Sequence, residues 1–462
     1  MSLQIYNTLT SRKEKFVPRE RGKVSIYACG LTPQGLAHIG HLRGAVAFDA
    51  IRRWFKHRGY AVRMLQNFTD IDDKIIRNAA NEGITPAALA ERYAVSYLED
   101  WNRVGLMSVE FVRVTENMDA IVRLVAELVK RGNGYVADNG DVCFSVASFP
   151  RYGRLSRRDA SSTEAGARTP VDPAKRDPAD FTLWKRAVKG EPSWPSPWGD
   201  GRPGWHIECS ALALKHLGPA FDIHAGGIDL KFPHHENEIA QSEAACDVHP
   251  FARTWMHWGT VNRHGRKMGK SENNFLTIRD ILEKYSPSVL KLYLLSTHYR
   301  GNIDYSPDRL AESARAFTRV TTALGNARQV AGWLAGTIID DYLSRFSKAM
   351  DDDFNTAQAI GVVFEAVGDL NRALAEPVPD SGTVSSLAST IEHLLSLIGI
   401  AVIDGPIAPS ELSDELIAKA IDWRKEAKTS RQFDLGDKIR DDLKSLGIIL
   451  EDRPGGTTWR RE

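Results

Sequence analysis

The sequence predicts a doubly wound α/β sheet, split by an insertion and followed by an all-helical C-terminal region, and three stretches carry that prediction. VSIYACG (24–30), a helical spacing of Ala47, Ala50, Ile51, Trp54 and Phe55 up to Gly59, and AVRMLQN (61–67) succeed one another as strand, helix, strand. That is the unit from which parallel sheets are wound. FDIHAGG (221–227) and ARTWMHWGTV (252–261) flank the helical stretch FPHHENEIAQSEAAC and repeat the unit. From Ser306 onward apolar residues at 360, 363, 364, 367, 370 and 374 keep helical spacing.

VSIYACG is a short apolar run closed by glycine, as a strand buried on both faces should be. The loop LTPQGLA leads into the first helix, which Gly59 ends. Residues 115–204 read as the insertion: a helix, a short strand GDVCFSV, then SRRDASSTEAGARTPVDPAKRDPAD, with the composition of a mobile loop. In AMDDDFNTAQAIGVVFEAVGDLNRAL, acids stand at the start and Asn355 and Thr356 are cap candidates. A Pro/Ser/Gly break covers 377–386, and the last 50 residues read as short helices ending in DRPGGTTWRRE.

At 462 residues the chain exceeds one core, and roughly two to four domains are expected. With 60 Lys and Arg against 59 Asp and Glu, no global field selects a polyanion, so nucleic acid would have to be met by local basic patches. The N-terminal MSLQIYNTLTSRKEKF lacks an apolar signal core, and no apolar run reaches 18 residues, so a cytoplasmic protein without a membrane span is expected. Cys29, Cys143, Cys209 and Cys246 are too few for a disulfide framework; metal binding, catalysis or burial are their expected fates.

Three motifs carry chemistry. FPHHENEIAQ (232–241) crowds two histidines, two glutamates and an asparagine into five positions, and on a helix His234 and Glu238 share a face. A polar first turn would look similar, and the pair supplies at most two of the four ligands that a structural zinc takes. HIGH (38–41) stands at a loop-to-helix step, where free N–H groups and the helix dipole favour anions, and Gly40 leaves room for a base or ribose. Incidental capping is the alternative. GRKMGKS (265–271) sets two lysines in a glycine-rich loop. Alone it is a solvated basic turn; paired with HIGH, its lysines suit closure over a triphosphate.

HIGH on the first βα turn, with a KMSKS-like loop after the last strand, resembles the class I aminoacyl-tRNA synthetases. ACGLTPQGLAHIGH, NFTDIDDKI, GWHIECSALA, FPHHENEIAQS and MDDDFNTAQA, in that order, are similar to the motifs of the cysteinyl-tRNA synthetase family from end to end of the chain. The resemblance implies a Rossmann-like catalytic domain over 1–114 and 205–262 and a connective insertion over 115–204. It further implies a lysine loop and stem-contact region over 263–305, a helical bundle over 306–400 and an anticodon-binding domain over 401–462. The implied reaction is ATP-dependent ligation of L-cysteine to tRNA(Cys) through a cysteinyl adenylate, with zinc selecting the substrate thiol.

The resemblance also implies the site residues. One Zn2+ per chain would be held by Cys29, Cys209, His234 and Glu238, with His206, His235 and Glu236 behind the ligands or capping; burial is left for Cys143 and Cys246. His38, His41, Lys267 and Lys270 would be catalytic, and ATP, as its Mg2+ complex, would lie against His38, Gly40, His41 and Lys270. Thr69, Trp205, His224 and Asp229 would surround the amino acid, although each alone would serve equally as a core or turn residue. Arg453, Trp459, Arg460 and Arg461 suit an RNA loop, and a frayed tail would have the same composition. The implied partners are ATP, L-cysteine and tRNA(Cys), with no membrane, and the implied state is a monomer.

Two departures touch this pattern. Gly269 replaces the usual serine of the lysine loop, and Gln34-Gly35 stands where a Tyr-Asp pair is usual, which puts adenylate contacts from those side chains in doubt. Two rivals share parts of the pattern: a related cysteine:amino-sugar ligase, which would not need the residues beyond Ile400, and an inactive RNA-binding paralogue, which would not need the histidines and lysines.

Overall fold

In the computed structural model, which describes residues 2–158, 173–263, 265–268, 275–332, 335–402, 411–430, 432–445, 448–453 and 456–461, the hairpin β1 (Gln4–Asn7) and β2 (Arg12–Lys15) precedes the core. β3 (Lys23–Leu31) is followed by α1 (Ile39–His57), β4 (Ala61–Phe68), α2 (Asp73–Glu82), α3 (Pro86–Val104) and β5 (Glu110–Arg113). After α4 (Met118–Lys130), strands β6 (Gly134–Val136), β7 (Val142–Phe144), β8 (Phe181–Arg186) and β9 (Gly201–Pro203) pair antiparallel as a sheet of their own. The chain then returns through α5 (Trp205–Leu217), β10 (Phe221–Gly227), α6 (Glu236–Cys246) and β11 (Ala252–Trp258).

The core sheet has the order β11-β10-β3-β4-β5 and is parallel throughout. Winding starts at β3 and proceeds outward first through β4 and β5, then on the other side through β10 and β11, which makes the sheet doubly wound as the sequence predicts. The insertion differs from its expectation. It carries four strands rather than one, because β6 and β9 are too short to show a period and β8 is too mixed in polarity, and residues 159–172 of the expected mobile loop lie outside the described residues.

α1 is buried on most of its circumference, with Phe48, Ile51, Trp54 and Phe55 sealed. Each such side chain contributes about 1.5–3 kcal/mol relative to exposure. A Cβ on Gly44 would come within 2.4 Å of the Trp258 ring, so glycine is what lets α1 press on the end of β11. Its buried polar side chains bolt it to its surroundings. Asp49 accepts from Met107 N at 2.8 Å, and Arg43 donates to the carbonyls of Leu294, Thr297 (3.1 Å) and His298 (2.6 Å).

After β11 come β12 (Val261–Arg263), β13 (Arg266–Lys267), α7 (Ile278–Leu282), α8 (Pro287–Leu295) and β14 (Ile303–Asp304). A bundle of α9 (Pro307–Ala331), α10 (Asp340–Asp351), α11 (Thr356–Leu374) and α12 (Ser381–Leu397) completes the first unit, Met1–Val402. Asn355 caps α11 by accepting from Gln358 N at 3.1 Å, as expected. The acids of MDDDF do not start a helix; they end α10 and form the turn before α11. Trp54 Nε1 donates to Asp351 Oδ1 (3.0 Å), Lys13 pairs with Asp352 (2.5 Å), and Asp353, sealed from solvent, receives Tyr6 N (2.9 Å), Tyr299 OH (2.8 Å) and Arg300 Nε (2.7 Å). The break expected over 377–386 is shorter, since α12 begins at Ser381 under an Asp380 cap that accepts from Thr383 N at 2.8 Å.

The second unit, Ile403–Glu462, holds α13 (Glu411–Thr429), α14 (Phe433–Ser445) and an antiparallel pair, β15 (Ile448–Arg453) and β16 (Gly456–Arg461). The chain therefore ends in a hairpin, not in further helix or a frayed tail. Arg453 closes β15, and Trp459, Arg460 and Arg461 lie on β16. Among the described residues, no helix is long and apolar enough to cross a membrane.

Candidate active site and metal centre

β3 and β10 are neighbours whose connections leave in opposite directions, the point at which doubly wound sheets open a crevice at their carboxyl ends. A cleft of about 850 Å³ lies there, lined among others by Cys29, Gln34, His38, Gly40, His41, Trp205, Asp229, Trp258 and Lys267.

At its floor four side chains converge. Cys29 comes from β3, Cys209 from the second turn of α5, and His234 and Glu238 from either side of the start of α6. Cys29 Sγ lies 3.8 Å from Cys209 Sγ and 3.3 Å from Glu238 Oε1, and His234 Nε2 lies 3.1 Å from that same oxygen. A tetrahedral zinc ion sets sulfur pairs about 3.8 Å apart and nitrogen–oxygen pairs about 3.3 Å apart, so the cage has the right size. His234 precedes the regular helix, in a distorted turn over Lys231–His235, but the chain is already helical at His235 and the i,i+4 contact survives.

His234 and Glu238 are held from behind. His234 Nδ1 shares a proton with His206 Nδ1 at 2.8 Å, and Glu238 Oε2 meets His224 Nε2 at 2.8 Å, which turns Nε2 of His234 and Oε1 of Glu238 forward. Cys29 and Glu238 also cluster with His224 and His235. The set with two sulfurs is the better match to zinc, which favours thiolates.

The electrostatics suit a cation. Burial pushes both thiols up, but the hydrogen bond from Cys29 and the nearby His234 bring Cys209 down to about 6, while Cys29 itself stays far above the usual thiol range. Burial opposes charge on Glu238 too, yet His224 and His234 hold it well below the usual carboxylate range. His234 is raised to about 10, burial being outweighed by Glu238 and Cys209. Burial keeps His206, His235 and His257 neutral, the last pushed down to about 3.

HIGH forms a reciprocal cap in which both acceptors are imidazoles. His38 Nδ1 accepts from Gly40 N at 3.1 Å, and His41 Nδ1 accepts from His38 N at 3.2 Å. With both Nδ1 atoms accepting, each neutral ring carries its proton on Nε2, and the rings lie 3.8 Å apart beside the cleft. Ahead of the lysine loop, Lys267 pairs with Asp229 at 2.6 Å and buried Met268 donates from its N to Val261 O at 2.9 Å. Beyond the loop, Leu276 O accepts from Ile39 N at 3.2 Å, next to His38. The loop thus leaves and re-enters on the cleft. Gly269 and Lys270 themselves lie outside the described residues.

Of the four residues expected around the amino acid, Trp205 and Asp229 reach the cleft, the Trp205 ring stacked 4.4 Å from His234. Thr69 and His224 stand behind its wall. Thr69 donates to Glu208 Oε2 at 2.9 Å, and His224 is sealed against Glu238. Sequence reasoning missed Asn67, whose Oδ1 accepts from Gly30 N at 2.8 Å beside Cys29 and lies 3.6 Å from Cys209 Sγ. Nothing in its spacing marks it. Glu236 does not hold the metal ligands; it accepts N–H groups of Gly153, Leu155 and Ser156 and so docks a loop of the insertion.

A crevice at the sheet's switch point, a histidine-capped helix and a lysine loop define the class I tRNA synthetases, and the family model "tRNA synthetases class I (C) catalytic domain" matches residues 15–315, with a DALR domain over 345–402. The chain is similar in fold to Mycobacterium tuberculosis methionyl-tRNA synthetase in complex with methionyl-adenylate (TM-score 0.59, 14% identity, 82% of this chain and 90% of that one). A putative arginyl-tRNA synthetase from Campylobacter jejuni gives a TM-score of 0.56 at 14% identity, over 82% of this chain and 94% of that one. Cysteine–tRNA ligases of Methylococcus capsulatus (46% identity, 100% of both chains) and Marinobacter nauticus (47%, 99% of both) are similar throughout. The chain belongs to the cysteine–tRNA ligase family.

Proposed function

We propose that the chain ligates L-cysteine to tRNA(Cys) with ATP, in the domain layout given above, as a cytoplasmic monomer. The observation that carries this is the convergence of two thiols, an imidazole and a carboxylate on the floor of the nucleotide-type cleft. A carboxylate oxygen of cysteine attacks the α-phosphorus of Mg2+-bound ATP; the bond to the bridging oxygen breaks and pyrophosphate leaves. The 2′-hydroxyl of the terminal adenosine then attacks the carbonyl carbon, and AMP leaves. His38 and His41, presenting Nε2–H groups, and the positive charges of Lys267 and Lys270 stabilise the charge that builds on the phosphates, and Gly40 leaves space for the nucleoside. Asp229 and Trp205 bound the amino-acid end, while Thr69 and His224 hold Glu208 and Glu238 in place.

Cys29, Cys209, His234 and Glu238 are the residues that would hold Zn2+, which supplies a soft Lewis acid for the substrate thiolate. A thiol ionises near neutral pH and an alcohol far above it, so serine gains little at such a site. Pyrophosphate exchange with each amino acid is the test. Cysteine should stand alone, with serine lower by about 10⁴-fold, the range of sites matched to a polar group. Efficient serine activation followed by hydrolysis would show a structural metal and a separate editing activity.

A further inference from the structure

Lys231, Arg157 and Arg158 bring three cations together beside the segment 229–230, which lines the cleft. Lys231 follows Asp229 and Leu230, both of which line the cleft, and is half-buried. The guanidinium of Arg158 lies 4.8 Å from the ring centre of Phe232, and Arg157, in a left-handed backbone conformation (φ 62°), donates to Leu9 O at 2.9 Å. Both arginines are exposed. Burial lowers the Lys231 ammonium, and the charges of Arg157 and Arg158 lower it further against the pull of Glu236. That carboxylate is sealed and already accepts three N–H groups, from Gly153 (3.0 Å), Leu155 (3.4 Å) and Ser156 (2.6 Å). Among the described residues, none of the three cations forms an ion pair with an acid.

Like charges crowded together without an acid between them oppose folding and attract an anion. We propose that this cluster binds the phosphate backbone of the RNA substrate where its end enters the cleft. The inference rests on the function proposed above: a hydroxyl of the terminal ribose must reach the cleft floor, so the phosphates before it cross the rim. Guanidinium forks suit phosphate oxygens, and such contacts position the strand without reading its sequence.

The test uses the zinc-loaded full chain and a tRNA(Cys) transcript. Arg157→Gln/Lys231→Gln removes two charges, and Arg157→Lys/Lys231→Arg keeps them. The neutral pair should raise KM for tRNA about tenfold and make log(kcat/KM) against log salt shallower by about 1.4, from two single-strand phosphate contacts at about 0.7 each. Cysteine-dependent pyrophosphate exchange, KM for ATP and Tm should match the parent, as should every property of the charge-keeping pair. An unchanged KM for tRNA with an unchanged salt slope overturns the proposal. So does a fall in exchange or a rise in KM for ATP, which would place the cluster in the nucleotide site. If the parent itself shows no cysteine-dependent exchange, the proposed function fails; filter binding of the transcript to parent and variants still judges the cluster.

Discussion

The sulfur atoms of Cys29 and Cys209 stand 3.8 Å apart, although 180 residues separate them in the chain. Burial resists ionisation of both, and the hydrogen bond from Cys29 together with His234 lets Cys209 ionise while Cys29 keeps its proton, so a cation is needed before both can be thiolates. Elemental analysis should therefore find about one zinc per chain in the parent and none in Cys209→Ser. Full retention in Cys29→Ser/Cys209→Ser would refute the site.

Zinc affinity should rise with pH. Without metal at neutral pH, Cys29 keeps its proton and so does His234, raised to about 10, and the cation must expel both. Raised groups hold protons below their shifted values, so acid favours the metal-free form. Between pH 6.5 and 7.5 chelator competition should show a gain of about 100-fold per unit, two protons being released. Below about 6 Cys209 takes up a proton as well, and the slope should steepen. A flat profile would contradict the two-proton release.

Lys270→Ala should slow cysteine-dependent pyrophosphate exchange by about 10²–10³-fold and leave zinc content unchanged, as expected for a charge that meets the transition state. The described residues that flank the loop stand at the cleft (Met268) and beside HIGH (Leu276). Kinetics that barely change would show that the loop is not catalytic.

Two adjacent acids should behave oppositely in thermal unfolding. Asp353 is sealed and holds Tyr6, Tyr299 and Arg300, so Asp353→Asn should destabilise the first unit by about 3 kcal/mol. Asp352 meets Lys13 in solvent, and Asp352→Asn should cost under about 0.5 kcal/mol. Equal effects would mean that the Asp353 hub does not tie the bundle to the core.

Removing residues 403–462 should spare cysteine activation and cripple tRNA charging. Val402 is the boundary, because Ile398 and Ile400 are buried in the first unit and Ser288 Oγ donates to Ala401 O at 2.7 Å. Normal charging by the truncated chain would show that the second unit does not engage the tRNA.

Long periodic elements were legible in the sequence: the buried strand of Cys29, the helix behind HIGH, and the face shared by His234 and Glu238. The assembly of four ligands from three elements was not, since no local spacing links Cys29 to Glu238; only likeness to a family brought them together. Single strands of three residues, such as Gly134–Val136 and Gly201–Pro203, carry too few positions for a period. The C-terminal hairpin had a signal in Pro-Gly-Gly between β-branched runs, but the helical spacing upstream overrode it. The acids of MDDDF misled for another reason: charge at a helix start and charge at a buried joint are the same letters, and only tertiary partners tell them apart.

Glu238 lies 209 residues beyond Cys29. On a ribosome adding about 5–20 residues each second, the first thiol waits roughly 10–40 s for its last companion to be made. No truncated nascent chain owns a finished cage, so metal capture comes late in the life of each molecule. Until then both sulfurs are open to oxidation and to the wrong metals. The yield of active protein from a cell should therefore follow its zinc supply and its thiol-reducing capacity, even where the messenger and the temperature are unchanged.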